Sequence, residues 1–240
     1  ERGGLVPDHP EPVATTWLLS FEKIEQSNLA AADLLRVCAF LQPDAIPEEI
    51  LFEGAQYLGQ EIQQLSTNPL GLDQALKVLL SYSLIQRNST DHMLSIHRLV
   101  QAVLKDTMDQ TTYLLWAERT MQAVEQVLPN VDHSTRKDYE RCLSHALGCT
   151  QFIEQLGLTS LIAAQLLYLV AWYLQEHARH AEAEPLYQRA LHIWEQALGP
   201  EHPDVAYPLN GLANLYQEQG KYAEAEPLYQ RALHIWEQAL

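Results

Sequence analysis

Basic residues are scarce in this chain: 15 lysines and arginines stand against 31 aspartates and glutamates over 240 residues, a formal net charge of −16. So acidic a surface repels the phosphate backbone of nucleic acids and anionic lipid headgroups, which argues against both as principal partners. Cysteine is scarcer still. Cys38, Cys142 and Cys149 form no CxxC pair and no zinc or disulfide-framework spacing, the usage expected of a reducing, cytoplasmic compartment. No apolar run reaches the roughly 18 to 20 residues that a membrane-spanning helix needs. The opening Glu1-Arg2-Gly3-Gly4 has neither an initiator Met nor a signal-peptide shape, so the chain is expected to start inside a longer protein.

Catalytic equipment is also missing from the sequence. There is no GxxxxGK[ST] phosphate loop, and the nearest string, Gly54 to Gln60, has glutamine where the phosphate-binding lysine belongs. No paired nucleophile and base and no metal-ligand cluster stands out. His177 and His180 share an i, i+3 spacing that could serve a metal, but their counterparts one repeat later are Gln219 and Tyr222, which cannot both ligate. Cys142 and Cys149, seven apart on one helix face, read as small core residues. The expectation is a non-enzymatic chain with no catalytic residue, metal or cofactor of its own.

What the sequence does have is a repeat. Ala181 to Leu198 reads AEAEPLYQRALHIWEQAL, and Ala223 to Leu240 repeats the same eighteen letters at an offset of 42. Upstream the likeness continues more loosely, pairing Leu167 with Leu209, Ala171 with Ala213, Gln175 with Gln217 and Glu176 with Glu218, so the unit is a helix pair. The second unit places Leu209, Leu212, Ala213, Tyr216, Gly220, Ala225, Tyr229 and Ala232 in the large, small and aromatic positions of a tetratricopeptide repeat. Small Ala213, Ala225 and Ala232 let helices approach, and Leu212, Tyr216 and Tyr229 fill the space between them. Val170, Ala171, Leu174, Ala183, Tyr187 and Ala190 do the same in the first unit. Between the units, Gly199-Pro200 stops one helix and Asp204 is expected to cap the next. The period exceeds the usual tetratricopeptide length of about 34, and LGPEHPDVA with QGKYAEAEPLYQRAL resembles kinesin-light-chain-type repeats over about residues 166–240. Because the chain stops on the last letter of a copy with no polar capping helix, further repeats are expected to follow.

The N-terminal half reads differently. Apolar residues at helical spacing run through Trp17 to Phe21 and Leu34 to Leu41, Pro47-Glu48-Glu49-Ile50 opens a third helix, and Leu72 to Leu80 gives a fourth. Ser83 to Arg87 and His92 to His97 follow as two short strands about the polar turn Asn88-Ser89-Thr90-Asp91. Helices followed by such a hairpin suggest a winged helix. Trp17 to Phe21, the Leu34 to Leu41 run, Ile46-Pro47, Tyr82 to Ile85 and Ile96-His97-Arg98-Leu99-Val100 resemble the winged-helix module behind the nucleotide-binding domain of signal-transducing STAND (NB-ARC-like) ATPases. The resemblance implies an upstream nucleotide-binding domain, ADP or ATP in the parent protein, and His97 as a contact to the ADP phosphate, taking the place of the His in that family's Met-His-Asp motif. Here Ile96 stands for the Met and Arg98 for the Asp. The alternative for His97 is a wing residue hydrogen-bonded to a neighbouring helix.

The expected organisation is mainly α: a linker over 1–12, a winged-helix-like domain with a small β-hairpin over 13–110, a helical spacer or degenerate repeats over 111–165, and two repeats over 166–240. The spacer carries helices over about Tyr113 to Leu128 and Tyr139 to Leu156, with a break at Pro129-Asn130. Tandem helix pairs expose their first helices along a groove. On the second unit Asn210, Asn214 and Gln217 share a face, and their counterparts are Tyr168, Trp172 and Gln175. Amides can bond the backbone of an extended peptide and aromatics can bury its side chains; the same pattern also fits a solvated face with two aromatics in the core. The expected function is protein binding and sensing within a STAND-type ATPase, the repeats taking a protein or peptide trigger. The competing reading is a winged-helix transcriptional regulator with a tetratricopeptide effector array, which its lone Lys77 beside Asp73 on the would-be recognition helix serves poorly.

Overall fold

The computed structural model describes residues 11–66, 68, 70–128 and 136–239. It is mainly helical, with one small sheet. In chain order the elements are α1 (Glu11–Ser27), α2 (Leu29–Phe40), β1 (Ile46–Pro47), α3 (Glu48–Phe52), α4 (Gln60–Ser66), α5 (Gly71–Ser81), β2 (Ile85–Asn88), β3 (Met93–Ile96) and α6 (Arg98–Asp106). Then come α7 (Gln110–Val127), α8 (Arg136–Leu156), α9 (Leu161–Glu176), α10 (His180–Leu198), α11 (Ala206–Glu218) and α12 (Tyr222–Ala239). The chain divides into two compact units, Glu1–Ala123 and Val124–Leu240. Of the linker expected over 1–12, only residues 11 and 12 are described, inside α1, and the expected break at Pro129-Asn130 lies outside the described residues.

The first unit is built around α2. Asn28 caps it by accepting from the Ala31 amide at 2.9 Å, and Ala31, Ala32, Leu34, Leu35, Val37 and Ala39 leave it without a solvent face. A helix apolar all round has to be surrounded, and α1, α4, α5 and α6 all pack on it. Its last carbonyls are satisfied from outside: the buried Gln101 of α6 donates to the carbonyls of Cys38 and Leu41, both at 2.8 Å. Burial in this helix pushes the Cys38 thiol up to about 12, so it is an inert core group.

The sheet has the order β1-β3-β2, antiparallel throughout, with Ile46 opposite Leu94 and Ile85 opposite Ile96. The strands begin later than their sequence suggests, because Ser83 and His92 adopt left-handed backbone at φ +56° and +54°, which an extended run cannot include. Strand β1 has no sequence signature. It is two residues long and ends in Pro47, which is tolerated because β1 lies at the sheet edge. The sheet is clamped to the helices by Arg87 of β2: its Nε and Nη2 donate to the Glu48 carboxylate at 2.6 and 2.7 Å, and Nη1 donates to Asp73 of α5 at 2.6 Å. The paired Glu48 pushes the guanidinium further towards its charged form.

The second unit stacks helix pairs. The positions singled out as close approaches are closed: Ala171, Ala183, Ala190, Ala213, Ala225 and Ala232 are all buried, as are Val170, Leu174, Tyr187 and Leu212, whereas Tyr216 and Tyr229 are half-buried. Cys142 and Cys149 are buried in α8. The connector differs from expectation. Asp204 is not the cap of α11; it lies inside a 3-10 turn, Pro203–Val205, whose cap is His202, with Nδ1 accepting from the Asp204 amide at 3.2 Å. Pro203 takes the first helical position, where a missing N–H costs nothing, so the capping side chain falls to the residue before it.

Both first helices end in the same reverse turn, in which the amide three residues beyond the helix bonds five residues back: Arg179 to the Leu174 carbonyl and Lys221 to the Tyr216 carbonyl, each at 2.8 Å. The second unit places Gly220 (φ +74°) in the left-handed position, and the first unit places Ala178 (φ +56°) there. A Cβ is disfavoured in that conformation. Ala178→Gly is therefore expected to raise the unfolding free energy by about 0.5–1 kcal/mol, read as a higher urea midpoint of the second unit; a lower midpoint would contradict the strain assigned to Ala178.

Candidate protein-binding face

Helices α9 and α11 start their respective pairs and lie side by side, tied at both ends. At one end the rings of Tyr168 and Tyr207 meet at 6.2 Å between centroids. At the other the Gln175 amide donates to Glu218 at 2.8 Å. Two rows of side chains therefore run in parallel: Tyr168, Trp172 and Gln175 on α9, and Tyr207, Asn210, Asn214 and Gln217 on α11, at spacings that share a helix face.

The aromatic part of this face is continuous. Tyr168 touches Trp172 at 6.4 Å, Tyr187 at 5.9 Å and Trp194 at 5.8 Å, and Tyr207 continues the contact to Trp236 at 6.1 Å. Trp194 and Tyr187 form the buried backing, Tyr168 and Trp172 are half-buried, and Tyr207 is 50% exposed. Burial, and then its neighbour Tyr207, push the Tyr168 phenol above its ordinary range, so it stays a neutral hydroxyl. Tyr207, Trp194 and Trp236 were missed by the sequence comparison of the two units. Tyr207 replaces Gln165, so no aligned aromatic points to it; its position one turn before Asn210 was the available signal.

The amides divide into two kinds. Gln175 is buried, accepting from the Tyr187 hydroxyl at 2.9 Å while its nitrogen serves Glu218, whose other oxygen meets His180 Nε2 at 3.0 Å. It is a strut between repeats and does not line an open groove. In the second unit the Tyr229 hydroxyl lies 2.6 Å from Asn214 Oδ1 and 2.7 Å from Gln217 Oε1. Tyr229 has one hydroxyl proton, which one of the two carboxamides accepts, so the contact ties both side chains to the same point and leaves each with donor and acceptor capacity. Asn210 and Asn214 are half-buried and Gln217 is exposed. His177 and His180 serve different partners, His177 stacking on Tyr173 at 4.0 Å and His180 bonding Glu218.

His97 lies in the first unit. It is the N-cap of α6, its Nδ1 accepting from the Leu99 amide at 3.1 Å, and its exposed ring lies 5.8 Å from that of Trp17. With Nδ1 accepting, the proton of the neutral ring sits on Nε2. His97 also borders a recess of about 180 Å3 with Asp44, Ser83 and Ser95, where the Asp44 carboxylate disfavours a phosphate.

Residues 162–238 match the tetratricopeptide repeat family model. The second unit carries tetratricopeptide-type repeats. Residues 20–113 match a domain family of unknown function, DUF7779. A nucleotide-binding leucine-rich repeat (NLR)-like protein of Hyaloscypha variabilis (strain UAMH 11265 / GT02V1 / F) is 30% identical over 213 residues, which cover 88% of this chain and 20% of that protein. The chain thus spans about a fifth of the length of the curated relative it matches. Among the described residues no helix is long and apolar enough to cross a membrane.

The two glutamines at equivalent places give a direct check on this geometry. Gln175→Ala removes the acceptor that the buried Tyr187 hydroxyl meets at 2.9 Å and is expected to cost about 1–3 kcal/mol. Gln217→Ala, at the exposed equivalent, should change stability by less than about 0.5 kcal/mol. Equal costs in chemical unfolding would contradict the burial difference.

Proposed function

We propose that this chain is a protein-interaction and sensor segment of an NLR-like, STAND-type signalling ATPase, in which the repeats capture a protein or peptide trigger and the first unit couples to nucleotide state in the cytoplasm. The observation that carries the reading is the double row on α9 and α11: aromatic rings at one end, carboxamides at the other, on adjacent parallel helices. An extended peptide needs both, apolar pockets for alternate side chains and donors for its carbonyls. The NLR-like relative and the tetratricopeptide match support the class of protein. Charge supports a basic partner, since residues 161–240 carry ten acidic against four basic side chains.

For the first unit the proposed module is a winged helix. Supporting it is the order of helix α2, strand β1, helices α3 to α5, then the β2-β3 hairpin, with β1 pairing to β3 rather than to β2. Supporting the proposed ADP phosphate contact are the exposed His97 ring and its Nε2–H at the start of α6, where the helix dipole favours an anion; opposing it is the Asp44 carboxylate in the adjoining recess. The nucleotide itself would be held by an upstream domain.

Two measurements test the reading. Peptides selected from a random display library on the intact chain should lose at least tenfold in affinity when Trp172→Ala and Asn214→Ala are combined, with the circular dichroism spectrum retained; unchanged affinity would remove the α9/α11 face as the binding site. In the parent protein, His97→Ala should release bound ADP several-fold faster, and unaltered ADP retention would leave His97 as a helix cap only.

A further inference from the structure

We infer that the α9/α11 face reads an extended segment in register: an apolar residue lies on the Tyr168, Trp172 and Tyr207 rings, and an arginine or lysine four residues away meets the carboxylates of Glu176 and Glu218. The inference rests on the peptide reading above and adds where along the segment the positive charge must fall.

Helix geometry sets the two anchor points. On α11, Tyr207, Asn214 and Glu218 follow one another at spacings of seven and four, which puts all three within about 20° of one line along the helix. On α9, Glu176 follows Trp172 by four residues and continues its row. Tyr207, Glu176 and Glu218 are all exposed. From Tyr207 to Glu218 the helix rises about 16 Å. An extended chain advances about 3.3 Å per residue and returns to the same face every second residue. Two side chains that both face the helices and reach both anchors are therefore four residues apart, the long stem of the basic side chain covering the remainder.

The helix dipoles decide which end takes the cation. Glu176 is the last residue of α9 and Glu218 the last residue of α11, and the Gln175–Glu218 contact puts both helix ends on the same side. Each carboxylate thus stands at the negative end of a helix, where an acid is disfavoured, and both units carry it. At the other end Glu201 and Asp204 precede α11, where the positive end of the dipole offsets them. The cations near the glutamates are engaged elsewhere: Arg179 donates to both oxygens of Glu182 at 2.8 Å, and Lys221 Nζ lies over the Tyr216 ring, 5.2 Å from its centroid. Glu218 accepts from Gln175 at 2.8 Å through one oxygen and meets His180 Nε2 at 3.0 Å through the other. A carboxylate has about four acceptor sites, so a further donor can join. The aromatic end offers rings and a compensated charge; the far end offers an uncompensated negative field to a basic side chain.

Peptides selected from a random display library on the intact chain should share a Trp, Phe or Leu and, four residues away, an Arg or Lys. Replacing that basic residue by Ala should weaken a selected peptide three- to tenfold at low ionic strength, and the difference should shrink as salt is added. Glu176→Gln combined with Glu218→Gln, which keeps an oxygen to accept from Gln175, should weaken the basic peptide to the same extent and leave the Ala peptide unchanged, with the circular dichroism spectrum retained. Selected peptides without a basic residue at that spacing, or undiminished binding of the basic peptide by the double glutamine variant, would overturn the register. If binding is nevertheless lost in the variant combining Trp172→Ala and Asn214→Ala, the peptide reading stands without it. A library that yields no peptide sensitive to Trp172→Ala and Asn214→Ala overturns both.

Discussion

The second unit depends on one side chain meeting one missing side chain. Tyr187 of α10 is buried to 1% exposure, and its ring lies so close to Gly211 of α11 that a Cβ there would stand 2.5 Å from Cε1. Its hydroxyl is held by Gln175 of α9, so a single residue joins three helices across the boundary between repeats. The glycine is required for contact and not for backbone freedom. Once Tyr187 is seated, α11 lies against α9, the Tyr168 and Tyr207 rings touch, and the two rows of the proposed binding face come into line. The same eighteen letters recur on α12, where Tyr229 in the equivalent place is only half-buried and bonds Asn214 and Gln217 instead. One sequence thus gives a structural tyrosine in the first copy and a tyrosine that orients surface amides in the second; the difference lies in what packs on top.

The first unit uses a polar clamp for the same purpose. Arg87 joins β2 to the start of α3 through Glu48 and to α5 through Asp73, fixing the hairpin against the helices. The hairpin in turn places His97 at the entrance of α6, and Gln101 one turn later anchors that helix to the end of α2. Removing one member of such a network leaves charge without a partner in a partly buried place, which costs far more than the network contributes when whole.

Much of this was readable beforehand, and for a physical reason. Helix pairs with small residues at fixed spacing are dictated by close packing, which writes itself into the sequence as a period, so the two helix pairs α9–α10 and α11–α12 were legible from the 42-residue offset, though α9 starts at Leu161, before the expected 166. The long helices of the first unit were legible from their apolar spacing. Strand β1 was not, because two residues carry no alternation, and the Gln-rich α4 shows little apolar face. At the site, the comparison of equivalent positions found Tyr168, Trp172 and the asparagines. It could not tell that Gln175 is buried and Gln217 exposed, since the residue type is the same and only the next repeat's Glu218 separates them. It also passed over Tyr207, whose counterpart is Gln165.

The central claim is that the α9/α11 face is where a partner peptide lies. Trp172 carries an indole N–H, and Asn210 and Asn214 carry side-chain amides, each giving a resolvable proton signal in nuclear magnetic resonance. Titrating a library-selected basic peptide into the intact chain is predicted to shift these three signals most, together with the backbone amide of Tyr207. Shifts confined to other surfaces, with the Trp172 indole and the Asn210 and Asn214 amides unmoved at saturation, would contradict the account.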